Sequence, residues 1–255
     1  MTGGMNMYTK EMLKADLAAM GLNHTDTVMV HSSMKAIGDV EGRADTVLDA
    51  LSEYFADGLL MLPALSWELA YQENPVFNAK STPCWVGVLP HLFRQREGVV
   101  RSLHPTHSVA ALGKDAKDVT REDHLDDYPC GKRSAWYKLV EREGTILMVG
   151  CTLTSCTFIH GVEAWCDIPE RLEAPVAYTL VDAEGNTYQA SSRPHKGSPS
   201  EQYWKAEEAL RANGALKDGK LGDACVMVID AKKCYEIVKG LLEKEPMLFS
   251  EEAEN

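Results

Sequence analysis

Short runs of consecutive apolar residues alternate along the chain with segments whose apolar residues recur every three to four positions. The runs that have the length of buried strands are TVMV at 27–30, LLMLPAL at 59–65, TILMVGC at 145–151 and ACVMVIDA at 224–231. The segments with helical periodicity are 10–21, 44–58, 85–98, 134–144, 203–214 and 232–244. Strands that alternate with helices predict a layered α/β fold.

Two regions depart from this alternation. The segment 176–192, VAYTLVDAEGNTYQASS, predicts a hairpin of two antiparallel strands joined around Gly185. Because a hairpin cannot belong to an all-parallel sheet, we expect a mixed sheet. Residues 66–83 have no clear period, and long irregular segments in compact domains are disproportionately functional.

The chain shows no linker, repeat or low-complexity segment, so we expect residues 1–255 to form a single domain with a frayed acidic end, SEEAEN. No run approaches the roughly 18 apolar residues of a membrane span. The start, MTGGMNMYTK, lacks the basic stretch and apolar block of a secretory signal. Seven cysteines without a CxxC pair are typical of reduced thiols. Together these features predict a cytoplasmic protein.

Composition narrows the class of partner. Hydrophobic residues at 45% and charged residues at 25% are ordinary for a soluble globular protein. The formal charge of −12 disfavours nucleic acid, because phosphates require a basic face. Such a charge suits a cationic small molecule, although it serves solubility equally well.

Two polar segments near strand ends offer groups that bind anions. The segment HSSMKAIGDVEG at 31–42 follows a predicted strand and supplies hydroxyls and backbone N–H groups, as a phosphate cradle does. Its alternative is a serine-rich turn. The segment RSLHPTHSVAALG at 101–113 adds the guanidinium of Arg101, which is suited to phosphate oxygens. The alternative for Arg101 is a surface ion pair at a strand end.

A third segment, TSCTFIHGVEAWCD at 154–167, carries a candidate general base. His160 and Glu163 stand three positions apart, so on a helix both lie on one face and the carboxylate can orient the imidazole. An imidazole in this position can take a proton from an amine or a hydroxyl. The alternative is a hydrogen-bonded core histidine. The place after a buried strand favours function, because α/β folds carry their sites there.

Two other chemistries compete for these residues. A zinc site could use His104, His107, Cys156 and His160, but the spacings HPTH and CTFIH match no standard closed site. Covalent catalysis would pair a serine or cysteine with His160, but the chain has no G-x-S-x-G elbow and nothing marks Cys156 as activated. We therefore predict neither a metal nor a covalent nucleophile.

Taken together, the motifs resemble the antibiotic N-acetyltransferase family, which includes the aminoglycoside 3-N-acetyltransferases and YokD-like proteins. The resemblance covers nearly the whole chain, and its most specific part is RS-x-HP-x-x-S combined with T-x-x-H-x-x-E. The matching segments are VMVHSSMKAIGDVEG, LLMLPALSW, NPVFNAKSTPCWVG, REGVVRSLHPTHSVAALG, ILMVGCTLTSCTFIHGVEAWCDIPER and KLGDACVMV.

The resemblance implies a three-layer α/β sandwich with a mixed sheet, distinct from the GNAT fold. It implies acetyl-CoA as cosubstrate, no metal, and direct acetyl transfer to the 3-amino group of a 2-deoxystreptamine aminoglycoside. His160 would be the base, Glu163 its acidic partner and Thr157 a further catalytic residue. The residues that would hold CoA are His31, Ser32, Ser33, Met34, Arg101, Ser102 and Ser108.

The residues expected to contact the amine acceptor match the family pattern less closely than the residues expected to hold CoA. The residues expected there are Asn78, Asp126, Asp167, His107 and His195, with a polar loop histidine as the alternative for His195. Asn78 stands where many relatives carry aspartate, and Lys132 and Arg133 lie near the expected cleft, so the acceptor is less clearly a strong polycation. Transfer to a non-antibiotic small amine and a non-catalytic CoA-binding protein stay open. We expect a monomer or homodimer that binds neither nucleic acid nor membrane.

Overall fold

A computed structural model describes residues 7–250 of the chain. The helices are α1 Lys10–Ala19, α2 Ala44–Tyr54, α3 Val88–Phe93, α4 Ala116–Thr120, α5 Ala135–Glu141, α6 Thr157–Trp165, α7 Glu207–Ala212 and α8 Ala231–Lys244. The strands are β1 Thr27–Ser32, β2 Leu59–Pro63, β3 Val76–Asn78, β4 Val100–Arg101, β5 Val109–Gly113, β6 Thr145–Val149, β7 Val176–Val181, β8 Thr187–Ser192, β9 Leu216–Leu221 and β10 Ala224–Asp230. Short 3₁₀ helices cover Met34–Ile37, Trp67–Tyr71, Asp123–Leu125, Leu153–Ser155 and Pro199–Ala206.

A seven-stranded mixed sheet forms the middle of the fold. Its strand order is β4-β5-β2-β1-β6-β10-β9, with β1 parallel to both β2 and β6. The outer strands β5 and β10 run antiparallel to their inner neighbours. The three central strands are the apolar runs of the sequence, and nearly all their residues are buried, as a strand covered on both faces requires.

Helices cover both faces of this sheet. On β1, Val28 and Val30 belong to one core cluster and Met29 to the other, because successive side chains of a strand point to opposite faces. Helices α1, α2 and α3 pack on the first face, and α4 to α8 on the second. The predicted three-layer α/β sandwich is confirmed.

The predicted hairpin forms, but it lies outside the central sheet. Strands β7 and β8 pair antiparallel, and β7 pairs with β3 in a separate three-stranded sheet. Phe77, Tyr178 and Leu180 contribute to a small core of its own. The expectation of a mixed sheet was therefore right for a reason other than the hairpin: β5 and β10 reverse direction within the main sheet.

Two further elements differ from the sequence prediction. Strand β9, LKDGKL, has only its terminal leucines buried, so it lacks the apolar run of a central strand and forms the sheet edge beside β10. The helix predicted over 203–214 is a 3₁₀ helix, Pro199–Ala206, followed by the short α7.

Among the helices of residues 7–250, none has the length and apolar character needed to cross a membrane. The acidic tail at 251–255 and the start of the chain at 1–6 lie outside the described residues.

Asp123 makes the stability of this fold depend on pH. Its side chain is fully buried, Oδ1 accepts a hydrogen bond of 2.8 Å from the N–H of Ala135 at the start of α5, and burial raises the pKa of Asp123 to about 7. The folded state therefore holds this proton more tightly than the unfolded chain. The resulting stability is complete below the unfolded pKa of 3.8 and is lost as the pH rises to about 7.

We expect Asp123→Asn to remove this dependence. Between pH 5 and 8, Asp123 should lower the free energy of unfolding by about 2–3 kcal/mol, since one pKa unit corresponds to about 1.4 kcal/mol. Urea unfolding of both proteins across this range measures the difference. Asp118→Asn, at an exposed position of α4, is the matched control and should follow the parent protein. Parallel curves for Asp123→Asn and the parent would contradict the raised pKa.

Candidate active site

The carboxyl ends of the three parallel strands open into one cavity of about 570 Å³. His31 and Ser32 end β1, Pro63 ends β2, and Cys151 follows β6, and all four line the cavity. Crevices beyond the carboxyl ends of strands are where open α/β sheets bind ligands. We call this space the strand-end cavity.

A second cavity of about 270 Å³, which we call the loop cavity, lies on the far side of two stacked imidazoles. His160 and His195 line both cavities, and their ring centroids are 4.0 Å apart at an interplanar angle of 25°. Thr157 lines only the strand-end cavity, and Asp167 only the loop cavity. The two imidazoles are therefore reached from both sides.

A tyrosine joins His160 to Glu163. The two predicted partners stand on consecutive turns of α6, with Nδ1 of His160 3.8 Å from Oε2 of Glu163. The hydroxyl of Tyr203, from the Pro199–Ala206 turn, lies 2.6 Å from Nδ1 and donates to Oε2 over 2.5 Å. The predicted pair is present, and its connection is indirect.

An arginine balances the charge of Glu163. Nε of Arg171 donates to Oε1 of Glu163 over 2.6 Å, and both side chains are buried. Burial, together with the carboxylate of Glu163, raises the pKa of Tyr203 well above its usual value, so the phenol keeps its proton. Arg171, Glu163, Tyr203 and His160 thus form a continuous chain of polar contacts.

Burial keeps the other histidines around the site neutral at pH 7. It lowers the pKa of His31 and of His104 to about 4. It also lowers the pKa of His107 and His195 well below 6.5, and the neighbouring imidazoles, including His160, act in the same direction. The rings of His107 and His195 lie 5.0 Å apart beside the strand-end cavity.

The neutral imidazoles of His104 and His195 differ in their hydrogen bonds. Nδ1 of His104 accepts hydrogen bonds from the backbone N–H groups of Thr106 and His107, so His104 shapes this turn. Both ring nitrogens of His195 are buried and have no partner within residues 7–250. The nitrogens of His195 are thus available to a bound molecule. Nδ1 of His107 lies 2.9 Å from Thr106 Oγ1, and His107 lines the strand-end cavity but not the loop cavity.

Of the four residues expected to hold CoA at 31–34, two line the strand-end cavity and two do not. Nε2 of His31 and Oγ of Ser32 are buried, line the strand-end cavity and have no partner in the described part of the chain. Ser33 instead donates its backbone N–H to the carbonyl of Val149, and Met34 packs against the core on the α1–α3 face. Neither Ser33 nor Met34 is among the lining residues.

Arg101, Ser102 and Ser108 are given a different role from the predicted contact with CoA. Arg101 is buried, and it donates to Thr82 O at 2.5 Å, Ala64 O at 2.7 Å and Ser108 Oγ at 3.0 Å. The hydroxyl of Ser102 accepts from the N–H of Val109, and neither serine lines the strand-end cavity or the loop cavity. Because their polar atoms are satisfied internally, these residues fix the β4–β5 connection.

Two of the predicted acceptor residues also hold turns. Oδ1 of Asn78 accepts from the N–H groups of Lys80 and Ser81, and Oδ2 of Asp126 accepts from the N–H of Arg133. Neither Asn78 nor Asp126 lines the strand-end cavity or the loop cavity. Short polar side chains stabilise turns in this way, and these contacts engage the oxygen atoms that were expected to contact the substrate.

Asp167, by contrast, lies in the loop cavity together with Glu170. Both have left-handed backbone conformations, with φ of 53° and 61°. Neither carboxylate forms an ion pair within residues 7–250. Non-glycine residues in this conformation are uncommon and concentrate at functional sites.

Two alternative chemistries, a metal site and a thiol nucleophile, each require a particular arrangement of side chains. Within residues 7–250, no group of histidine, cysteine, aspartate or glutamate side chains is arranged to hold a metal ion. Burial raises the pKa of Cys156 to about 12 and that of Cys130 well above its usual value. Both thiols stay protonated at neutral pH, whereas a nucleophilic cysteine requires the thiolate.

Tyr203 and Arg171 carry no local sequence signal that would connect them to His160. Tyr203 is 40 positions from Glu163, in a segment predicted as an ordinary helix, and no spacing connects the two residues. Arg171 follows α6 in an irregular stretch, where an arginine more often faces solvent. Only the tertiary fold brings them to the base.

The comparisons with known proteins agree with one another. The profile of a family described as Aminoglycoside 3-N-acetyltransferase matches residues 29–243. Aminoglycoside N(3)-acetyltransferase VII of Streptomyces paromomycinus is 30% identical over 93% of this chain and 92% of its own length. A structure of AAC-IIIb in a binary complex with CoASH has a TM-score of 0.82, 28% identity and coverage of 94% and 97%. The structure of YokD from Bacillus subtilis has a TM-score of 0.82, 26% identity and coverage of 94% and 95%.

Proposed function

The chain belongs to the aminoglycoside 3-N-acetyltransferase family of acyltransferases, and on this premise we propose that it acetylates the 3-amino group of 2-deoxystreptamine aminoglycosides with acetyl-CoA. The observation that carries the proposal is the position of His160, a candidate base that lines two cavities at once. A transferase that uses no covalent intermediate must bring donor and acceptor to one proton acceptor.

The strand-end cavity is the proposed donor side. When bound, acetyl-CoA supplies the activated acetyl thioester. Nε2 of His31 and Oγ of Ser32 are buried polar atoms without protein partners in the described chain, and such atoms need a ligand or water. Leu65 and Val86 add apolar surface. This combination fits a pantetheine arm, in which amides alternate with methylene groups.

The loop cavity is the proposed acceptor side. The carboxylates of Asp167 and Glu170 line it without ion-pair partners among residues 7–250, so they can bind ammonium groups of a polycation. The net charge of −12 acts in the same direction at long range. An aminoglycoside would thus present one amine to His160 and others to these carboxylates.

In the proposed reaction, the amine nitrogen of the acceptor forms a bond to the thioester carbonyl carbon while His160 takes the amine proton. The C–S bond then breaks, and the CoA thiolate leaves with the proton that His160 returns. Thr157, the first residue of α6, lines the donor side next to His160 and offers a hydroxyl to the oxyanion that develops. Neutral His107 and His195 add no competing positive charge at pH 7. We propose direct transfer, and it is consistent with the thiol of Cys151, which lines the donor side and whose pKa burial raises to about 11.

We expect the purified chain to release CoA from acetyl-CoA in the presence of 2-deoxystreptamine aminoglycosides. Product NMR identifies the acetylated nitrogen. Asp167→Asn should raise the KM for the aminoglycoside about tenfold at unchanged kcat, since it removes one charge-assisted contact and asparagine tolerates the left-handed backbone. Asp39→Asn, at an exposed position outside both cavities, is the control. No turnover at millimolar aminoglycoside would refute the antibiotic assignment.

Arg193 favours one second candidate, a small amine that carries an acidic group. Its side chain also lines the loop cavity, where a guanidinium attracts a carboxylate and repels an ammonium group. A parallel panel of amino acids and acidic amino sugars separates the two acceptors. Calorimetric binding of CoA without acetylation of either panel would instead indicate a non-catalytic CoA-binding protein.

A further inference from the structure

We infer that Tyr203 is a positioning residue that connects Glu163 to His160, holds the imidazole proton on Nδ1, and leaves Nε2 as the basic nitrogen. The inference deepens the proposed function, on which its kinetic readout rests. Its structural content, the protonation state of one imidazole, is independent of the substrate.

Tyr203 occupies the only polar route from the carboxylate to the ring in the described structure. The 3.8 Å between Nδ1 of His160 and Oε2 of Glu163 exceeds a hydrogen bond, whereas the tyrosine hydroxyl contacts both atoms. Tyr203 is itself fully buried, and its ring packs edge-on against Phe249 with centroids 5.0 Å apart. The phenol is thus held in place by packing, without help from the histidine.

Counting protons fixes the direction of each bond. A phenol has one proton, and Glu163, paired with Arg171 through Oε1, accepts it at Oε2. The oxygen of Tyr203 can then only accept from His160, so Nδ1 carries the hydrogen. A neutral imidazole with a proton on Nδ1 has its lone pair on Nε2.

The same chain of bonds stabilises the protonated base. When Nε2 gains a proton from the acceptor amine, Nδ1–H becomes a stronger donor to the Tyr203 oxygen, and the phenol in turn becomes a stronger donor to Glu163. No proton needs to leave the tyrosine. Its raised pKa is consistent with a phenol that stays protonated throughout. Nε of Arg171 donates to the other oxygen of the same carboxylate at the far end.

The first experiment measures the proton directly. The ¹⁵N chemical shifts of His160 in the uniformly labelled parent protein, assigned with His160→Gln, distinguish the two neutral tautomers. We expect the Nδ1–H form to predominate near pH 8. A predominant Nε2–H form would overturn the inference, whether or not any amine is acetylated. Failure of the proposed function therefore leaves this result valid.

The second experiment removes the hydroxyl with Tyr203→Phe, which keeps the ring that packs against Phe249. We expect a mixture of tautomers at His160, a tenfold to hundredfold lower kcat, and a KM for acetyl-CoA within twofold of the parent. Tyr178→Phe is the matched control: it removes another buried tyrosine hydroxyl, in the three-stranded sheet and outside both cavities. The control should leave kcat and tautomer unchanged. A Tyr203→Phe enzyme that keeps both parental values refutes the role.

Discussion

Replacing His160 with alanine should lower kcat about a hundredfold to ten-thousandfold, the range of a general base, while acetyl-CoA still binds. The side chain stands between the two cavities, and among the residues that line both it is the one bonded to the Tyr203–Glu163 chain. The amine would lose its proton acceptor. The buried polar atoms of His31 and Ser32, which line the proposed acetyl-CoA side, would be unchanged. The expected pattern is therefore lost chemistry with retained binding.

Steady-state assays with the acceptor found active and calorimetry with CoA measure these two quantities separately. His91→Ala, on α3 and outside both cavities, is the control for the loss of an imidazole and should keep parental kcat. The circular dichroism spectra of all three proteins should coincide. A His160→Ala enzyme within threefold of the parent would eliminate the general-base mechanism.

Replacing Arg101 with methionine should destabilise the fold and leave the CoA affinity nearly unchanged. The substitution leaves the buried carbonyl of Thr82 without a donor, takes one of two donors from the carbonyl of Ala64, which still accepts from Ser108 Oγ, and removes the guanidinium that lies 4.7 Å from the centroid of the Phe77 ring. Each buried acceptor left without a donor costs about 1–3 kcal/mol. We expect the free energy of unfolding to fall by about 2–4 kcal/mol and Tm by about 5–15 °C.

Thermal and urea unfolding test this prediction together with the KM for acetyl-CoA. Arg121→Met is the control, because the Arg121 side chain is 64% exposed and a surface substitution should change stability by less than about 0.5 kcal/mol. A Tm equal to that of the parent with a tenfold higher KM for acetyl-CoA would instead return Arg101 to the cofactor.

Arg101 also shows why a sequence predicts a site only in part. A guanidinium among hydroxyls at a strand end binds phosphate or backbone carbonyls with the same geometry, and only tertiary burial decides between them. Asn78 and Asp126 are ambiguous in the same way, since short polar side chains bind ligands and also stabilise turns. For these residues, the sequence specifies the chemistry and the fold specifies the partner.

The periodicity of the sequence predicts structure correctly where all the residues concerned lie on one helix or one strand. The helical spacing of His160 and Glu163 predicts that they share a face, and both lie on α6. The central strands are recognisable because burial on both faces demands continuous apolar runs. Edge strand β9 is largely exposed and polar, and Tyr203 reaches the base from another part of the chain, so neither leaves a local pattern.

The two cavities differ in what builds them. Strand ends of the central sheet contribute to the strand-end cavity, whereas apart from α6 the loop cavity is lined by loop residues such as Tyr128, Asp167, Glu170 and Arg193. Loops tolerate substitution and insertion far better than buried strands do. If the proposed assignment of the two cavities holds, selection can alter which amine is accepted without disturbing how the acetyl donor is held. One scaffold of this kind can diversify into enzymes with a common donor and different acceptors.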